Sequence, residues 1–414
     1  MKLLFLSNLY PPQALGGYEQ LCQEVAEGLA GRGHQVTILT TDYKRSSGEP
    51  AASQINGVTV LRTLHLEAPT DFYRPADFFL RRAQQEATDQ RELRQVIERV
   101  QPDVLMVWGM WNLSRTLPKL AETLLPERVV YYLCSYWPTD ADPHNAYWKL
   151  EANRTISKLI KWPLKTFALQ RLRQEGYPPQ LAMRQSACVS RYVRDQLVQA
   201  GKLPTSARVI SNGIDPQPFL AHSRTQCQNP LRLLYFGRLI ADKGVHTAIE
   251  AITHLKQRHL AQSIHLTILG GGHPTYESQL HHMVDEQGLS QHIEFLPSVP
   301  REEVPAWLGK FDVFLFTSIW AEPMARSVME AMATGLLVIG SEVGGQKEMF
   351  VNGQNALTFA AGNASQLADQ ITWAIDHPSE IKQIAVAGKQ LVLEHYTLTQ
   401  MLTTMERYLQ EICK

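Results

Sequence analysis

One stretch of the second half, residues 311–345, constrains the fold of this chain more than any other. It opens with the apolar run Val313–Phe316, which is short enough for a buried strand. Pro323 follows a few polar residues later, and Pro suits the first position of a helix because its missing N–H is not needed there. We predict a helix over residues 324–334, ended by Gly335, and a second strand that begins at residues 336–339. The stretch therefore predicts a strand–helix–strand unit.

The start of this predicted helix offers a site for an anion, because free N–H groups and the positive end of the helix dipole both attract phosphate. Glu322 precedes the helix, and Glu330 lies eight residues later, about 12 Å along a helix axis. Carboxylates accept hydrogen bonds from sugar hydroxyls, so one acid could hold a hexose and the other a ribose, with a diphosphate between them. In the alternative interpretation, Glu322 caps the helix and Glu330 is a solvated acid. The candidate phosphate contacts are Met324, Ala325, Arg326 and Ser327.

The spacing of these residues resembles a known signature. Seven residues separate Glu322 from Glu330, and Ala-Met-Ala-x-Gly follows Glu330. This pattern is similar to that of retaining glycosyltransferases of family 4, which have the GT-B fold. The resemblance implies that Glu322 faces the donor sugar and that Glu330 holds the ribose of a nucleotide sugar. The chain departs from the family pattern at Ala325, where Gly is common, and at Arg326, where an aliphatic residue is common. These two departures leave the identity of the donor sugar open.

The composition excludes some classes of protein. With 40 basic and 40 acidic residues among 414, the chain has no formal net charge. Proteins that bind nucleic acid usually carry a basic excess, so we expect no nucleic-acid partner. The five cysteines are scattered without a C-x-x-C pair, which argues for a reducing compartment and against a zinc site or a disulfide framework. The apolar run at residues 3–6 is too short for a signal peptide or a spanning helix, so we expect a cytoplasmic protein.

The first half begins with a strand at residues 3–7 and a loop that contains Gly16 and Gly17, just before a predicted helix. Backbone can approach an anion closely at such a junction, and the family resemblance implies that this loop meets the donor phosphate. A predicted helix over residues 75–100 is followed by a strand at residues 104–108. Strands that alternate with helices indicate a mainly parallel sheet covered on both faces, with any site beyond the carboxyl ends of the strands.

An aromatic rim is predicted at those strand ends in the first half. Many members of the resembled family carry His after the strand equivalent to residues 129–133, but Cys134-Ser-Tyr-Trp-Pro stands here. Either Asp140, Asp142 or His144 substitutes, or the site works without a base at this place. The aromatic side chains either pack the loop or form a platform for an acceptor sugar. The candidate acceptor contacts are Trp108, Trp111, Ser135, Tyr136, Trp137 and Asp140.

Residues 151–175 contain six Lys and Arg residues, interleaved with apolar residues, against two acids at the ends of the segment. This pattern is typical of a helix that rests on an anionic membrane surface. Helices that face a protein core are also basic on the outside. We therefore expect either peripheral contact with the inner membrane surface or ordinary packing.

Two cations follow the first strand of the second half. The strand at residues 233–236 leads into Gly237-Arg-Leu-Ile-Ala-Asp-Lys-Gly, which places Arg238 and Lys243 in the loop before a helix. One interpretation is a diphosphate clamp, since Arg offers a planar fork and Lys a point charge to phosphate oxygens. The other is a solvated surface pair. The Gly-Arg-Leu and Lys-Gly pairing also resembles the family, which further implies that Val299 lies beside the nucleobase.

We predict an α/β protein of GT-B type, with two Rossmann-like, doubly wound domains that face a central cleft. Residues 1–185 form the acceptor domain, residues 186–390 the donor domain, and residues 391–414 a C-terminal helix that packs back on the first domain.

The functional hypothesis is transfer of a sugar from a UDP- or GDP-sugar to a hydroxyl of a glycan, lipid-linked or small-molecule acceptor, with retention, as in polysaccharide biosynthesis. Arg238, Lys243 and the helix N–H groups stabilise the leaving diphosphate without a metal or cofactor in this hypothesis, and Glu322 orients the donor. Two alternatives are a nucleotide-sugar epimerase or hydrolase on the same fold, and a non-catalytic subunit that binds a nucleotide sugar.

Overall fold

The chain forms two compact units. The computed structural model describes residues 1–14, 16–45, 50–67, 73–150, 155–222 and 230–414, with residues 155–162 described by their backbone alone. The first unit contains Met1–Val189, Val193–Ile210 and Leu402–Lys414, and the second contains Ser190–Tyr192 and Ser211–Met401. The chain therefore returns to the first unit in its last residues. The domain boundaries predicted after residues 185 and 390 stay predictions.

The first unit is built on an eight-stranded sheet. Its strands are β1 (Lys2–Leu6), β2 (Gln35–Thr41), β3 (Ala52–Ile55), β4 (Val58–Leu64), β5 (Val104–Val107), β6 (Val129–Leu133), β7 (Gln185–Cys188) and β8 (Arg208–Val209). The order is β3-β4-β2-β1-β5-β6-β7-β8, and every pair is parallel except β3 with β4. The central strand β1 is buried on both faces, with its last four residues at most 1% exposed, as expected of a strand covered by two layers of helices.

The helices of the first half alternate with these strands. They are α1 (Gly17–Gly31), α2 (Pro75–Leu80), α3 (Arg82–Val100), α4 (Thr116–Leu124), α5 (Pro143–Lys149), α6 (Thr155–Gln174) and α7 (Arg191–Gln199). The helix predicted as one element over residues 75–100 is two, because the chain bends at Arg81, which is both the C-cap of α2 and the N-cap of α3.

The second unit is built on a six-stranded, fully parallel sheet. Its strands are β9 (Leu231–Phe236), β10 (Ile264–Leu269), β11 (Ile293–Leu296), β12 (Val313–Phe316), β13 (Leu337–Ser341) and β14 (Leu357–Phe359). The order β11-β10-β9-β12-β13-β14 places the first strand in the middle, and the chain winds outward in both directions from it. A crevice beyond the carboxyl ends of β9 and β12, where the winding direction reverses, is the usual ligand site of such a sheet.

Helices cover both faces of the second sheet. They are α8 (Gln217–Leu220), α9 (Val245–Gln257), α10 (Pro274–Glu286), α11 (Val304–Leu308), α12 (Arg326–Thr334), α13 (Ala364–Asp376) and α14 (Pro378–His395), with α15 (Leu398–Ile412) leading back to the first unit. The apolar side chains of α9, α10 and α13 share one buried cluster with β9 to β14. The predicted fold class, two Rossmann-like α/β domains, is confirmed.

The strand–helix–strand unit over residues 311–345 is present as β12, α12 and β13, and Gly335 ends α12 in the left-handed conformation (φ 88°). The predicted start of the helix was wrong. Helix α12 begins at Arg326 rather than at residue 324, and Ala325 is its N-cap. Pro323 therefore lies in the preceding loop and not at the first helical position.

Candidate functional site

The predicted donor residues Arg238, Lys243 and Glu322 lie on loops that leave the carboxyl ends of β9 and β12, at the switch point of the sheet. Side-chain and backbone hydrogen bonds tie the two loops together. Thr317 Oγ1 donates to the carbonyl oxygen of Lys243 (2.9 Å), and Ser318 Oγ and the Ile319 N–H both donate to the carbonyl oxygen of Asp242 (3.1 and 3.0 Å). The residues that carry the site chemistry are therefore fixed by their backbones.

Gly244 permits this close approach. Its φ is +65°, a conformation that L side chains rarely adopt, and a Cβ there would lie 2.1 Å from the carbonyl oxygen of Thr317. The Lys-Gly pair in the sequence is thus a packing requirement as well as a chemical one, because only Gly lets the β9 loop touch the β12 loop.

Glu322 and Lys243 form an ion pair between Oε1 and Nζ across the two loops. The Glu322 side chain is 7% exposed and that of Lys243 is 23% exposed. Ser318 Oγ lies 3.1 Å from Glu322 Oε1, and its one proton is shared between this carboxylate and the carbonyl oxygen of Asp242. Burial of a carboxylate is tolerated only with such partners. The structure thus brings together two residues that lie 79 positions apart in the chain.

Arg238 lies on the same β9 loop, with an exposed side chain. Its carbonyl oxygen accepts a hydrogen bond from Tyr235 Oη (2.8 Å), which fixes the backbone. Burial, and then the neighbouring Tyr276 and Glu322, raise the pKa of Tyr235 well above its usual range, and the Arg238 guanidinium opposes this rise. Arg238 and Glu322 therefore act in opposite directions on the pKa of the same phenol.

The N-terminus of α12 differs from the expectation in one respect. The Ala325 N–H, predicted to be free for phosphate, donates to Gln346 Oε1 (2.8 Å). Helix α12 presents the N–H groups of its own first turn at this end, and that turn starts at Arg326. Met324 is buried, and its carbonyl oxygen accepts from Asn212 Nδ2 (3.3 Å). The N–H groups at the start of α12 therefore come about two residues later in the chain than the sequence analysis predicted.

Glu330 forms an ion pair with Arg301 Nη2, a residue that the sequence analysis missed. The Glu330 side chain is 3% exposed, and Arg301 extends from a short 3-10 turn, Arg301–Glu303, after β11. The guanidinium of Arg301 also stacks over the Phe219 ring (5.8 Å to its centroid). Val299, two residues before Arg301, lies half-buried in the same loop after β11. A signal was available, because Arg301, like Arg238, is a cation just beyond the carboxyl end of a strand.

In the first unit, Gly16 is the N-cap of α1 and Gly17 its first residue. The Gly16 N–H donates to Glu19 Oε2 (3.1 Å), so an acidic side chain of the helix itself lies at this N-terminus. Contact of this loop with a donor phosphate stays a prediction.

The predicted acceptor residues differ in their accessibility. Trp108 is fully buried and stacks with Phe5 and Tyr18 (ring centroids 5.9 and 5.7 Å apart), whereas Trp111 is 42% exposed. Trp137 is nearly buried under the Arg115 guanidinium, 5.5 Å from its ring centroid. Ser135 and Tyr136 are half-buried, and Asp140 is exposed. Acceptor binding by these residues stays a prediction, and Trp111 presents the most open ring among them.

The predicted membrane segment, 151–175, begins with residues 151–154, which lie outside the described residues. In the described part of α6, Phe167 is 59% exposed and Leu164 is 36% exposed. Among the described residues, no helix is both long enough and apolar enough to cross a bilayer.

Two family models match the chain. The model for Glycosyltransferase Family 4 covers residues 15–218, and the model for Glycosyl transferases group 1 covers residues 222–391. A glycogen synthase of Mycobacterium tuberculosis is 24% identical over 99% of this chain and 94% of its own length. A GDP-mannose-dependent alpha-(1-6)-phosphatidylinositol monomannoside mannosyltransferase of the same organism is 21% identical over 99% of this chain and 98% of its own.

Solved structures share the fold. Sucrose-phosphate synthase from Thermosynechococcus elongatus has a TM-score of 0.72 and 17% identity, covering 99% of this chain and 98% of that one. HepE of Anabaena in complex with UDP-glucose has a TM-score of 0.67 and 18% identity, covering 99% and 100% of the two chains. At these identities the likeness establishes the architecture and leaves the chemistry to the residues of the site.

Proposed function

The chain belongs to the GT-B glycosyltransferases of the family 4 type, and we propose that it moves a sugar from a UDP- or GDP-sugar to an acceptor hydroxyl with retention at the anomeric carbon. The observation that carries the proposal is the Lys243–Glu322 ion pair at the switch point of the second sheet, beside Arg238 and the N-terminus of α12. A cationic loop and a helix N-terminus around a buried carboxylate suit a sugar diphosphate better than a neutral ligand.

In the proposed reaction, the bond between the anomeric carbon and the diphosphate breaks, and the acceptor oxygen forms the new bond on the same face. The proton of the acceptor hydroxyl passes to the leaving diphosphate. Negative charge grows on the leaving diphosphate. Arg238, Lys243 and the N–H groups of Arg326 and Ser327 stabilise that charge, without a metal ion. Glu322 orients the donor sugar. Removal of one such donor group typically costs about 3–4 kcal/mol of barrier.

Glu330 is proposed to accept hydrogen bonds from the ribose hydroxyls, with Arg301 holding its carboxylate in place. Val299 is proposed to contact the base. The relatives support a nucleotide-sugar donor without deciding which one, because one is a glycogen synthase, one is GDP-mannose-dependent, and HepE was solved with UDP-glucose. The proposed acceptor is a hydroxyl of a glycan or lipid-linked glycan, bound by the first unit near Trp111.

A panel of UDP- and GDP-sugars, screened by thermal shift, identifies the donor, because a ligand that binds the folded state raises stability by RT ln(1 + [L]/Kd). The identified donor is then incubated with and without glycan and lipid-linked acceptors, and the anomeric configuration of the product is read by NMR. We expect a product with the donor's configuration, and equal turnover with and without added Mg²⁺ or Mn²⁺. Donor breakdown that needs no acceptor would instead indicate a hydrolase or epimerase. Tight donor binding without product would indicate a non-catalytic subunit.

Arg238→Ala tests the phosphate clamp, with Arg258→Ala as the matched control. Arg258 is the C-cap of α9, about 20 Å along that helix from the β9 loop, and it pairs with Asp369. We expect Arg238→Ala to lower kcat/KM by about 100-fold or more and Arg258→Ala to leave it nearly unchanged. Turnover within about twofold of wild type for Arg238→Ala would remove the clamp from the mechanism.

A further inference from the structure

A second group of polar side chains lies in the first unit, away from the residues assigned to the donor. A cavity of about 130 Å³ opens between the segment after β4, the first turns of α3 and the start of α5. Glu67, Glu86 and His144 line it, and each offers one ligand atom within 4.8 Å of the others. The three residues come from three different elements, so their convergence is a product of the fold rather than of sequence proximity.

His144 is 5% exposed and is held firmly. Its backbone N–H donates to Asp142, which caps α5, and its Nδ1 lies 2.7 Å from Tyr73 Oη. Its Nε2 lies 3.3 Å from Glu67 Oε1 but makes no hydrogen bond, and the buried Glu67 Oε2 makes none either. Most buried polar atoms have partners, so two unpartnered atoms that face one cavity call for an explanation.

The carboxylates around the cavity differ in their partners. Arg82 pairs with Glu86 (3.2 Å) and with Glu175, which also pairs with Arg171 (2.9 Å). Glu67 receives a hydrogen bond from Tyr177 Oη (3.2 Å), which carries no charge. A divalent cation would give Glu67 Oε2 and His144 Nε2 the partner that both atoms lack.

We propose that Glu67, Glu86 and His144 bind a divalent transition-metal ion of the Zn²⁺ type. One imidazole nitrogen and two carboxylate oxygens suit such an ion, whereas Mg²⁺ and Ca²⁺ prefer oxygen ligands alone. An Nδ1–H donated to Tyr73 leaves the lone pair on Nε2 for the metal, which is the usual arrangement for a metal-binding histidine. In a tetrahedral site with bonds of about 2.1 Å, the ligand atoms lie about 3.4 Å apart. Side-chain rotations that move the ligand atoms by about 1 Å would therefore bring them to the distances that the ion requires.

The ion is structural in this proposal and takes no part in sugar transfer. It joins the end of β4, α3 and α5 through one centre. The cysteine pattern argued against a zinc site, but that argument concerns sulfur ligands. This site uses no sulfur, and its ligands are scattered along the sequence.

The test uses the full chain, freed of metal with a chelator and desalted, with Zn²⁺ alone as the probe. Zn²⁺ binding is measured by calorimetry, and the melting temperature is measured with and without Zn²⁺. Glu86→Gln and Glu67→Gln keep the shape of their side chains, and His144→Gln removes the nitrogen ligand. His282→Gln is the control, because His282 is an exposed histidine beside Glu286 (3.1 Å) on α10 that could collect Zn²⁺ adventitiously.

We expect one tight Zn²⁺ site per chain, an affinity at least about tenfold lower in each of the three ligand variants, and wild-type affinity in His282→Gln. Zn²⁺ should raise the melting temperature of wild type and of the control but not of Glu86→Gln. Equal Zn²⁺ binding by wild type, Glu86→Gln and Glu67→Gln would overturn the proposal, and so would the lack of a stoichiometric site. If His144→Gln fails to fold, the two Glu variants still test the Zn²⁺ proposal. If all variants still bind the nucleotide-sugar donor, the result for the Zn²⁺ site does not affect the transferase proposal.

Discussion

The Lys243–Glu322 ion pair gives the sharpest test of how the donor site is built. Lys243→Met keeps the length of the side chain but removes the ion pair of the Glu322 carboxylate, which is 7% exposed. Among the described residues, the Ser318 hydroxyl is then the hydrogen-bond partner that remains to this carboxylate. Breaking a buried ion pair by removing one partner costs about 3–5 kcal/mol. Because the Lys243 side chain is 23% exposed and water can replace part of the ammonium, we expect the lower end, about 3 kcal/mol.

The partner substitution should behave differently. Glu322→Gln retains an oxygen that accepts from Ser318, and it leaves an ammonium that water can reach, so we expect a cost of about 1 kcal/mol. The double variant Lys243→Met, Glu322→Gln contains no unpaired buried charge. It should therefore be more stable than Lys243→Met alone, although it carries one substitution more.

Differential scanning calorimetry of the full chain measures these differences. For a unit of roughly 190 residues, 1 kcal/mol moves the melting temperature by about 2–4 °C, so Lys243→Met should lower the transition of the second unit by about 6–12 °C. A shift below about 2 °C, or a double variant less stable than Lys243→Met, would show that the carboxylate is not held by this ion pair.

The remaining predictions concern backbone geometry and pH. Gly244→Ala should destabilise the chain by about 1–3 kcal/mol more than Gly353→Ala in urea titrations, because both residues have positive φ but only Gly244 faces a backbone oxygen where the new Cβ would lie; equal costs would contradict the required close approach. The hydrogen bond to Asp89 raises the pKa of His65 (Nδ1–Oδ1 2.7 Å), so the stabilisation is fully present below the ordinary histidine pKa of about 6.5 and is lost as pH rises through the folded-state pKa. The stability gap between wild type and His65→Gln should accordingly shrink from about pH 5.5 to about pH 8.5. A gap that stays constant or widens with pH would refute this assignment.

Local sequence patterns predicted the second sheet closely. The strand at Val313–Phe316 has the predicted bounds, because a short apolar run flanked by polar residues is determined by its own composition. The start of α12 was missed because it depends on Gln346, which accepts the N–H of a residue 21 positions earlier. Such a contact depends on the tertiary fold and cannot be predicted from a local sequence pattern.

Two further features were missed for different reasons. The hairpin of β3 and β4 turns through Asn56-Gly57, both with positive φ (48° and 83°), and an Asn-Gly pair is a strong local signal that the sequence analysis did not use. The Arg301–Glu330 pair spans 29 residues and could be proposed only once β11 and β12, which β10 and β9 separate in the sheet, were known to run parallel, with their carboxyl ends on the same side. The sequence shows which residues are charged, but it does not show which of them form ion pairs.

The return of the chain to the first unit has a consequence for biosynthesis. Residues 402–414 complete the packing against α1, where Leu402 lies against Gly28 and Glu406 pairs with Arg32 (2.9 Å) and His34 (2.8 Å). A ribosome delivers this segment only after all of residues 211–401 have been translated. Until then, the face of α1 that receives it stays open to water and to chaperones. A truncated fragment that ends at residue 210 would keep this open face permanently.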